Sequence, residues 1–346
     1  MISVRTLTDG GQPSRDIAQA VADFLGAAKQ SLALALYDVR LHDETADIVK
    51  GALVAAHERG VDIRLVYNLD RERRPIPVPP PPQTEPSLLE QLPFPTVPVP
   101  GWPDLMHHKY VIRDDEAVWS GSMNWTDDSW SRQENVVITV ESRDIAARFR
   151  TDFDQLWTKR DVEKSGKVDT SPVDVDGTPV SAWFSPKRGE KLAHEIAHRI
   201  ATAQHRVRIA SPVITSGPIL GTIAEVVADR RVDIAGVVDA TQIREVLSQW
   251  RANGNDSWKT PSLRFIMQHG AFSGKNSTPY APGAVHDYMH AKVQVCDDVV
   301  FIGSFNLSHS GEMNAENVIE VRDQALADRM ATFIDEIRAR YQPVAV

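Results

Sequence analysis

The sequence lacks the features that several classes of protein require. It has one cysteine in 346 residues, which excludes an internal disulfide framework and a cysteine-based zinc site. No apolar run approaches the roughly 20 residues that span a bilayer, so we expect no stable membrane insertion. Proteins that wrap duplex nucleic acid have a basic surface, whereas this chain has a net charge of −9, so such a contact would need a local basic patch.

The start and the length of the chain indicate its location and its organisation. The first ten residues lack the basic segment and the apolar core of a secretory signal, and we therefore expect a cytoplasmic protein. With 42% apolar residues, a chain of this length can bury a large core, and its length favours two domains over one.

The same alternation of helices and strands occurs in both halves of the chain. Apolar residues at helical spacing alternate with short apolar runs that are typical of strands. The first half is predicted to contain a helix at 16–29, a strand at 31–38, a helix at 44–59 and a strand at 61–67. The second half is predicted to contain the same elements at 191–204, 206–209, 220–229 and 232–238. This repeat is far longer than the roughly 20 to 50 residues of a solenoid unit and therefore indicates two similar domains.

We place the boundary between the domains in a polar, turn-rich stretch. This stretch, 159–180, is interpreted as a linker. The first domain then covers 1–158 and the second covers 181–346. Each is expected to end with a helix, at 145–157 in the first domain and at 325–341 in the second.

One motif occurs in both halves. Each copy has the form His-x-Lys-x4-Asp, runs on into Gly-Ser-x-Asn and reaches a glutamate ten residues past the asparagine. The first copy consists of His107, Lys109, Asp114, Ser122, Asn124 and Glu134. The second copy consists of His290, Lys292, Asp297, Ser304, Asn306 and Glu316.

The segment between the histidine and the asparagine of each copy predicts a β-hairpin. Folding about its turn places residue 107 opposite residue 123 or 124, and residue 290 opposite residue 306. Because side chains alternate along a strand, His107 and the adjacent His108 point to opposite faces and cannot chelate one metal ion. The two motif aspartates fall at the turns, where we interpret them as structural.

The side chains that the hairpins gather suit a phosphoryl group. Two lysines, two asparagine amides and serine or backbone donors match a tetrahedral group whose negative charge is spread over its oxygens. One neutral imidazole can attack while the other, protonated, assists the leaving oxygen. Glu134 and Glu316 are the candidates for carboxylates that orient the imidazoles through their far ring nitrogens. We expect no metal and no cofactor.

These motifs resemble the signature of the phospholipase D superfamily, and the resemblance covers essentially the whole chain. It implies an α/β fold of two similar α/β/α domains with mixed sheets, related by a pseudo-twofold axis, with one active site at their interface. It also implies a metal-independent, two-step reaction through a phosphohistidine, with His107 as the nucleophile and His290 as the general acid and later the base. One departure is that Asp114 to Gly121 spans one residue more than Asp297 to Gly303, which alters the hairpin turn.

Two insertions precede the His-x-Lys strands. The first, 71–104, holds 12 of the 22 prolines, and polyproline geometry there would form a stiff wall beside the motif. The second, 268–287, is rich in turn residues and includes Lys275, a possible further phosphate contact. Loops at this position would overhang the motif, where substrate selection normally occurs.

Three functions remain open on the sequence. A phosphodiesterase acting on a phospholipid head group, with water or an alcohol as acceptor, is slightly favoured by the acidic chain and the apolar residues of the proline-rich insertion. A nuclease acting on single-stranded or duplex nucleic acid would need a basic lining. The candidates for that lining are Arg71, Arg73, Arg74, Arg113 and Arg132. A fold that binds phosphate without turnover is the third.

Trp125, Trp130 and Phe305 could stack on a base, line an acyl pocket or pack between domains. The oligomeric state does not follow from the sequence.

Overall fold

The computed structural model of the chain describes residues 1–69, 89–254, 257–279, 281 and 284–346. Within them, each half of the chain forms one large mixed sheet with helices on both faces, and a smaller two-stranded sheet lies in the first half. Among the helices in the part of the chain that the structure describes, none is both long enough and apolar enough to cross a membrane.

The first large sheet has seven strands. In chain order they are β1 (Ile2–Leu7), β2 (Ser31–Leu36), β4 (Asp62–Leu69), β5 (Thr96–Pro100), β6 (Lys109–Arg113), β7 (Ala117–Gly121) and β9 (Asn135–Glu141). The short strands β3 (Val39–Arg40) and β8 (Trp125–Thr126) pair with each other. The described helices of this half include α1 (Ser14–Gly26), α2 (Asp43–Glu58), α3 (Asp127–Ser131) and α4 (Arg143–Lys159).

The second large sheet has eight strands. They are β10 (Val173–Val175), β11 (Thr178–Phe184), β12 (Arg206–Ala210), β13 (Asp233–Asp239), β14 (Ala271–Lys275), β15 (Val293–Cys296), β16 (Val299–Gly303) and β17 (Asn317–Arg322). The helices are α5 (Gly189–Thr202), α6 (Gly217–Asp229), α7 (Ala240–Ala252), α8 (Lys259–His269), α9 (His309–Met313) and α10 (Gln324–Arg340). One 3₁₀ turn, Val162–Lys164, lies between the two halves.

The two large sheets have the same topology. The strand order is β1-β9-β7-β6-β2-β4-β5 in the first and β10-β11-β17-β16-β15-β12-β13-β14 in the second, so β10 is one additional edge strand. In each sheet the last three strands pair in parallel and the others pair antiparallel. The predicted fold of two similar α/β/α units with mixed sheets is therefore confirmed.

The sheets pack together through a shared core. Alternate residues of β2 face opposite sides, because side chains alternate along a strand. Leu34 faces the outer core with α1 and α2, whereas Ala33 and Ala35 face a core that includes α4, α10 and strands of the second sheet. Each fully buried leucine contributes roughly 1.5 to 3 kcal/mol of transfer free energy. The continuous core between the sheets fixes the two halves against each other.

Both insertions and the stretch interpreted as a linker contain strands. The described part of the first insertion includes β5, whose Val97 and Val99 are buried in the shared core. Residues 71–88, with most of the prolines, lie outside the described residues. The second insertion contains the equivalent edge strand, β14. The predicted linker includes β10, which pairs with β11.

Candidate active site

The two hairpins bring the histidine and the asparagine of each motif to the same end of their sheet. The register of β6 against β7 continues to residue 107 opposite residue 123, within the predicted pair. In the second half, the register of β15 against β16 leaves residue 290 one place away from the predicted Asn306. Asn124 and Asn306 nevertheless both line the pocket that the histidines face.

A glycine and a serine form the turn that leads to each asparagine. A Cβ atom on Gly121 or Gly303 would collide with a carbonyl oxygen of the neighbouring strand, so glycine is required there. The hydroxyls of Ser122 and Ser304 accept a backbone N–H of β9 and β17, respectively, both at 3.0 Å. Both serines are fully buried, and neither lines the pocket. Their hydroxyls therefore fix the turn, in contrast to the predicted contact with phosphate.

The motif aspartates hold the hairpin turns in both halves. Asp114 and Asp297 have left-handed backbones, with φ of 55° and 54°. The Asp114 carboxylate accepts the backbone N–H groups of residues 29–31 at 2.7 to 3.1 Å, and Asp297 accepts those of residues 204–206 at 2.7 to 3.0 Å. Partial burial acts to raise the pKa of each carboxyl, but these N–H groups hold the pKa below its usual value. Both side chains face away from the pocket, toward the start of β2 and β12.

The segments that lead into β6 and β15 carry the histidines, and they contact the opposite half of the molecule. Met106 forms a parallel bridge with Ala315, and Met289 forms one with Glu134. The backbone N–H groups of the histidines continue these contacts. That of His107 donates to the carbonyl oxygen of Ala315 at 2.9 Å, and that of His290 donates to the carbonyl oxygen of Glu134 at 3.2 Å. Each histidine therefore sits among residues of the other half, and the site is shared between the halves.

The two imidazoles have different partners. The Nδ1 atom of His107 lies 2.8 Å from the Oε2 atom of Glu316, whose side chain is fully buried. The Nδ1 atom of His290 lies 3.2 Å from the Oδ1 atom of Asn135. In each neutral ring, the acceptor at Nδ1 favours the tautomer with its proton on Nδ1, and the lone pair then lies on Nε2.

The Glu134 carboxylate does not bond the imidazole of His290, in contrast to the role that the sequence suggested. Its carboxylate accepts the ammonium group of Lys275 at 3.0 Å and the hydroxyl of Tyr341. Lys275 also pairs with Asp9 at 3.1 Å. The prediction of Lys275 as a phosphate contact is therefore wrong in this structure, because its ammonium group is bound to carboxylates outside the pocket.

Both motif lysines are buried directly beside the histidines. The ammonium groups of Lys109 and Lys292 donate to the carbonyl oxygens of His107 and His290 at 2.7 and 2.8 Å. Lys109 is 2% exposed and Lys292 is 1% exposed. The ammonium group of Lys109 also lies 4.8 Å from the ring centre of Tyr37. Two cations thus lie beneath the imidazoles without direct contact with solvent.

Burial shifts the two motif histidines, the two motif lysines and Glu316 toward their neutral forms. It lowers the pKa of both imidazoles well below the usual value, and the two lysine charges lower it further. Burial lowers the pKa of Lys109 to about 7, and burial together with the charge of Lys109 lowers that of Lys292. Burial raises the pKa of Glu316 to about 7. The site therefore favours the binding of an anion that would offset the lysine charges.

The histidines face a polar pocket that opens to solvent. The side-chain oxygens of Asn124 and Asn306 are buried there and lack a hydrogen-bond partner within the described ranges. The sequence did not assign the other lining residues to the site. The residues that line the pocket besides the motif histidines and asparagines are Tyr37, Asp38, Arg40, Thr126, Gln133, Pro212, Gln242, His286 and Tyr288.

Two of the missed groups had a signal in the sequence. Asp38 follows β2, and Arg40 binds its carboxylate in a bidentate pair at 3.0 and 3.1 Å. The carboxyl end of a strand beside the motif strand is a common place for functional side chains. His286 and Tyr288 alternate with His290 along an extended segment, which predicts that the three side chains share one face.

Several other candidates lie away from the pocket. The Arg113 guanidinium lies 4.5 Å from the ring centre of Phe24, and Arg132 pairs with Asp9 at 2.8 Å. Arg71, Arg73 and Arg74 lie outside the described residues. The aromatic candidates Trp125, Trp130 and Phe305 are at most 2% exposed and pack in the cores.

His108 faces away from the pocket, as the strand alternation predicted. It is fully buried, with Nδ1 at 3.2 Å from the Oδ1 atom of Asn317 and Nε2 at 3.0 Å from Asp152. Tyr110 donates to the same Asp152 carboxylate at 3.1 Å. Over the residues that the structure describes, no group of three or more His, Cys, Asp or Glu side chains is arranged to hold a metal ion.

The chain matches one family model along most of its length. The model is described as cardiolipin synthase, PLD-like domain, and it matches residues 21–157 and 196–338. A mitochondrial cardiolipin hydrolase of Chlamydomonas reinhardtii is 25% identical over 137 residues, which are 39% of this chain and 55% of that protein. The chain thus spans about half the length of this relative.

Two solved structures are similar over nearly the whole chain. A phosphatidylserine synthase of Haemophilus influenzae Rd KW20 has a TM-score of 0.66 at 13% identity and covers 97% of this chain and 86% of its own. A polyphosphate kinase of Porphyromonas gingivalis has a TM-score of 0.62 at 11% identity and covers 98% of this chain and 47% of its own. At these identities the likeness concerns the fold. Since the two segments matched by the family model contain both His-x-Lys motifs, the chain belongs to the phospholipase D-like family.

Proposed function

We propose that this protein is a phosphodiesterase that cleaves a phosphodiester through a phosphohistidine on His107. The observation that carries the proposal is the convergence of His107 and His290, from opposite halves, on one pocket with a buried lysine beside each. A nucleophile, a proton donor and charge for the phosphoryl oxygens are the parts that such a reaction needs.

In the first step, Nε2 of His107 attacks the phosphorus atom and the bond to the leaving oxygen breaks. Protonated His290 gives its Nε2 proton to that oxygen, which departs as an alcohol. Glu316 holds the Nδ1 proton of His107 at 2.8 Å, which fixes the tautomer and stabilises the positive charge of the phosphorylated ring. The amides of Asn124 and Asn306 and the charges of Lys109 and Lys292 stabilise the phosphoryl oxygens.

In the second step, neutral His290 takes a proton from water or from an alcohol. The resulting nucleophile attacks the phosphorus atom, and the bond to His107 breaks. Water gives hydrolysis, and an alcohol gives transfer of the phosphoryl group. His290 ends the cycle protonated.

Substrate binding prepares the proton donor. The low pKa of both imidazoles in the empty site results from burial and from the two lysine charges. A phosphodiester anion beside Lys109 and Lys292 offsets those charges and raises the pKa of the imidazoles, since an opposite charge favours the protonated form. The acid form of His290 is therefore formed when substrate is present.

We favour a phospholipid head group as the substrate. The pocket is lined mainly by hydrogen-bonding side chains, which suits the polar end of a lipid. The family model and the Chlamydomonas relative both bear names that refer to cardiolipin, a phospholipid. We propose that the enzyme is cytoplasmic and acts on the lipid from the aqueous side of the lipid layer.

A nuclease is the alternative. In the described part of the chain, the predicted basic lining does not reach the pocket, because Arg113 and Arg132 bind elsewhere. Arg40, which does line the pocket, is paired with Asp38. Both findings favour the lipid over nucleic acid. A fold that only binds phosphate is disfavoured because both motif copies are complete.

The test is an assay of purified protein on two substrate classes. Vesicles containing phosphatidylcholine, phosphatidylglycerol and cardiolipin are compared with single-stranded and duplex DNA, with the His107→Ala variant as the matched control. We expect head-group release from at least one lipid by the native protein only. Degradation of DNA without any lipid turnover would favour the nuclease, and turnover of neither class together with tight phosphate binding would favour the inactive fold.

A further inference from the structure

The contacts between the two halves differ in register by one residue. Met106 pairs with Ala315, the residue before Glu316, whereas Met289 pairs with Glu134 itself. The two glutamates occupy the same position in their motifs. Because neighbouring side chains of an extended segment point to opposite sides, a shift of one residue changes which side chain faces the histidine.

The shift gives His290 an amide where His107 has a carboxylate. Asn135, which follows Glu134, faces the Nδ1 atom of His290 at 3.2 Å. The orientation of this amide is fixed by its other hydrogen bonds. Its Oδ1 atom accepts the hydroxyl of Ser122 at 2.7 Å, and its Nδ2 atom donates to the carbonyl and hydroxyl oxygens of Ser129 at 3.1 Å. The oxygen is therefore the atom that His290 meets.

Glu134 is held on the other side by two residues of separate segments, Lys275 and Tyr341. Its fully buried carboxylate binds Lys275 of β14 at 3.0 Å and the hydroxyl of Tyr341, which follows α10. Lys275 is fixed in turn by Asp9, which follows β1, at 3.1 Å and by the carbonyl oxygen of Arg132 at 3.1 Å. Rotation of Glu134 toward His290 would leave the Lys275 ammonium with one carboxylate in place of two.

We infer that Lys275 and Tyr341 are positioning residues that hold Glu134 in the shifted register, so that His290 works with an amide partner while His107 works with a carboxylate. A carboxylate stabilises a positive imidazole and supports the ring that becomes phosphorylated. An amide stabilises that charge less, so His290 releases its proton more readily. The inference rests on the proposed function and assigns the two histidines to its two roles.

The other charges around His290 do not replace the carboxylate. The charge of Lys292 comes from the same segment as His290, and the charges of Lys109 and His107 come from the first half. All three lower its pKa, in addition to burial. The Glu134 carboxylate is bound to Lys275 and Tyr341.

The first experiment is nitrogen-15 NMR of labelled histidine in the unliganded protein, which reports the midpoint and the protonated ring nitrogen of each imidazole without any assay. Glu316→Gln and Glu134→Gln are matched changes at equivalent positions. We expect Glu316→Gln to lower the midpoint of His107 by roughly one unit or more. Glu134→Gln should move the midpoint of His290 by less than half of that shift. Equal shifts in the two variants would overturn the inference.

The second experiment removes the two side chains that bind the Glu134 carboxylate. In the double variant Lys275→Met, Tyr341→Phe, the carboxylate loses both partners and is free to turn, and we expect the midpoint of His290 to rise by roughly one unit. Adding Glu134→Gln to that variant should reverse the rise. Tyr110→Phe, which removes another buried hydroxyl bonded to a carboxylate, is the control and should leave His290 unchanged.

An unchanged midpoint in the folded double variant would contradict the positioning role. If that variant does not fold, the comparison of Glu134→Gln with Glu316→Gln still decides the question. Neither measurement uses substrate, so a failure of the inference is distinct from a failure to find phosphodiesterase activity.

Discussion

His107 donates to the carboxylate of Glu316, whereas His290 donates to the amide of Asn135. Around these two contacts the halves are alike. The strand order is the same, each aspartate holds its hairpin turn through three backbone N–H groups, and each lysine donates to the carbonyl oxygen of its own histidine. The two histidines differ where each half contacts the other.

The comparison shows that backbone register can separate the roles of residues that a repeated motif makes equivalent. Glu134 and Glu316 have the same spacing from their motifs, yet a shift of one residue turns one toward a histidine and the other toward Lys275. Symmetry in the sequence therefore sets the scaffold. The contact between the halves decides which side chain assists which imidazole.

The largest expected effect is the loss of the nucleophile. We expect His107→Ala to lower kcat by on the order of 10⁴-fold or more and to prevent any covalent intermediate, because no other group replaces its Nε2 atom. Steady-state kinetics and intact-protein mass spectrometry after brief exposure to substrate provide the measurement. Circular dichroism serves as the folding control. A folded variant with native activity would refute the assignment.

The loss of His290 should depend on the leaving group. We expect His290→Ala to lower kcat on a natural diester by roughly 10² to 10⁴-fold. With a nitrophenyl ester, whose leaving group needs no proton, the first step should recover and the phosphohistidine should accumulate because its hydrolysis still needs a base. Burst kinetics measures this difference. An equal loss with both substrates would speak against a role as general acid.

The two glutamates should differ in effect although their motif positions are the same. We expect Glu316→Gln to lower kcat by roughly 10² to 10⁴-fold, because His107 loses the carboxylate that orients it. Glu134→Gln should cost less than about tenfold, since His290 keeps its amide partner. Kinetics of the two variants side by side, with thermal melts as the control, checks the contrast. Comparable losses would indicate that the halves act symmetrically.

The aspartates should be equivalent and should affect stability. We expect Asp114→Ala and Asp297→Ala each to lower the free energy of unfolding by about 1 to 2 kcal/mol, because three backbone N–H groups lose an acceptor. The pKa of both carboxyls is lowered in the folded state. Their contribution is therefore present above the unfolded pKa and is lost as the pH falls through the folded pKa. Urea unfolding at neutral and acidic pH measures it, and a difference from the native protein that persists in strong acid would contradict this origin.

The smallest expected effect is that of a chelator. In the proposed reaction, lysine and asparagine side chains stabilise the phosphoryl oxygens, so excess chelator should leave kcat unchanged. The assay of lipid turnover with and without chelator provides the check. Loss of activity that is restored by one divalent ion would require a different mechanism.

Much of the fold could be predicted because the two patterns that determine it are local. The period of apolar residues distinguished helices from strands, and the duplicated motif indicated the two equivalent sheets. The predicted helix at 44–59 and the observed α2 differ by one residue at each end. The family and the fold class are confirmed, whereas the domain boundaries at 158 and 181 remain predictions.

Other parts of the fold had no clear local signal. The edge strands β5 and β14 lie within the segments that were interpreted as loops, since prolines in one and glycines and serines in the other weaken the alternation. β5 tolerates its prolines because it lies at the edge of its sheet. Helices α7 and α8, which follow β13, were not predicted.

The residues of the candidate site could be predicted from the sequence, but the hydrogen bonds between the carboxylates and the imidazoles could not. Spacing identified the histidines, lysines and asparagines, because each hairpin is a local structure. Which carboxylate meets which imidazole depends on a contact between segments about 200 residues apart in sequence, and no periodicity reports that register. The positions of Lys275 and Tyr341 depend on the same tertiary contact.

The most direct test of the difference between the histidines is to locate the covalent intermediate. Native protein is exposed briefly to a phosphodiester with a nitrophenyl leaving group, quenched and digested, and the phosphorylated peptide is sequenced by mass spectrometry under conditions that preserve phosphohistidine. We expect the phosphoryl group on His107, the imidazole held by Glu316. A phosphoryl group on His290, or on both histidines in equal amount, would contradict the assignment.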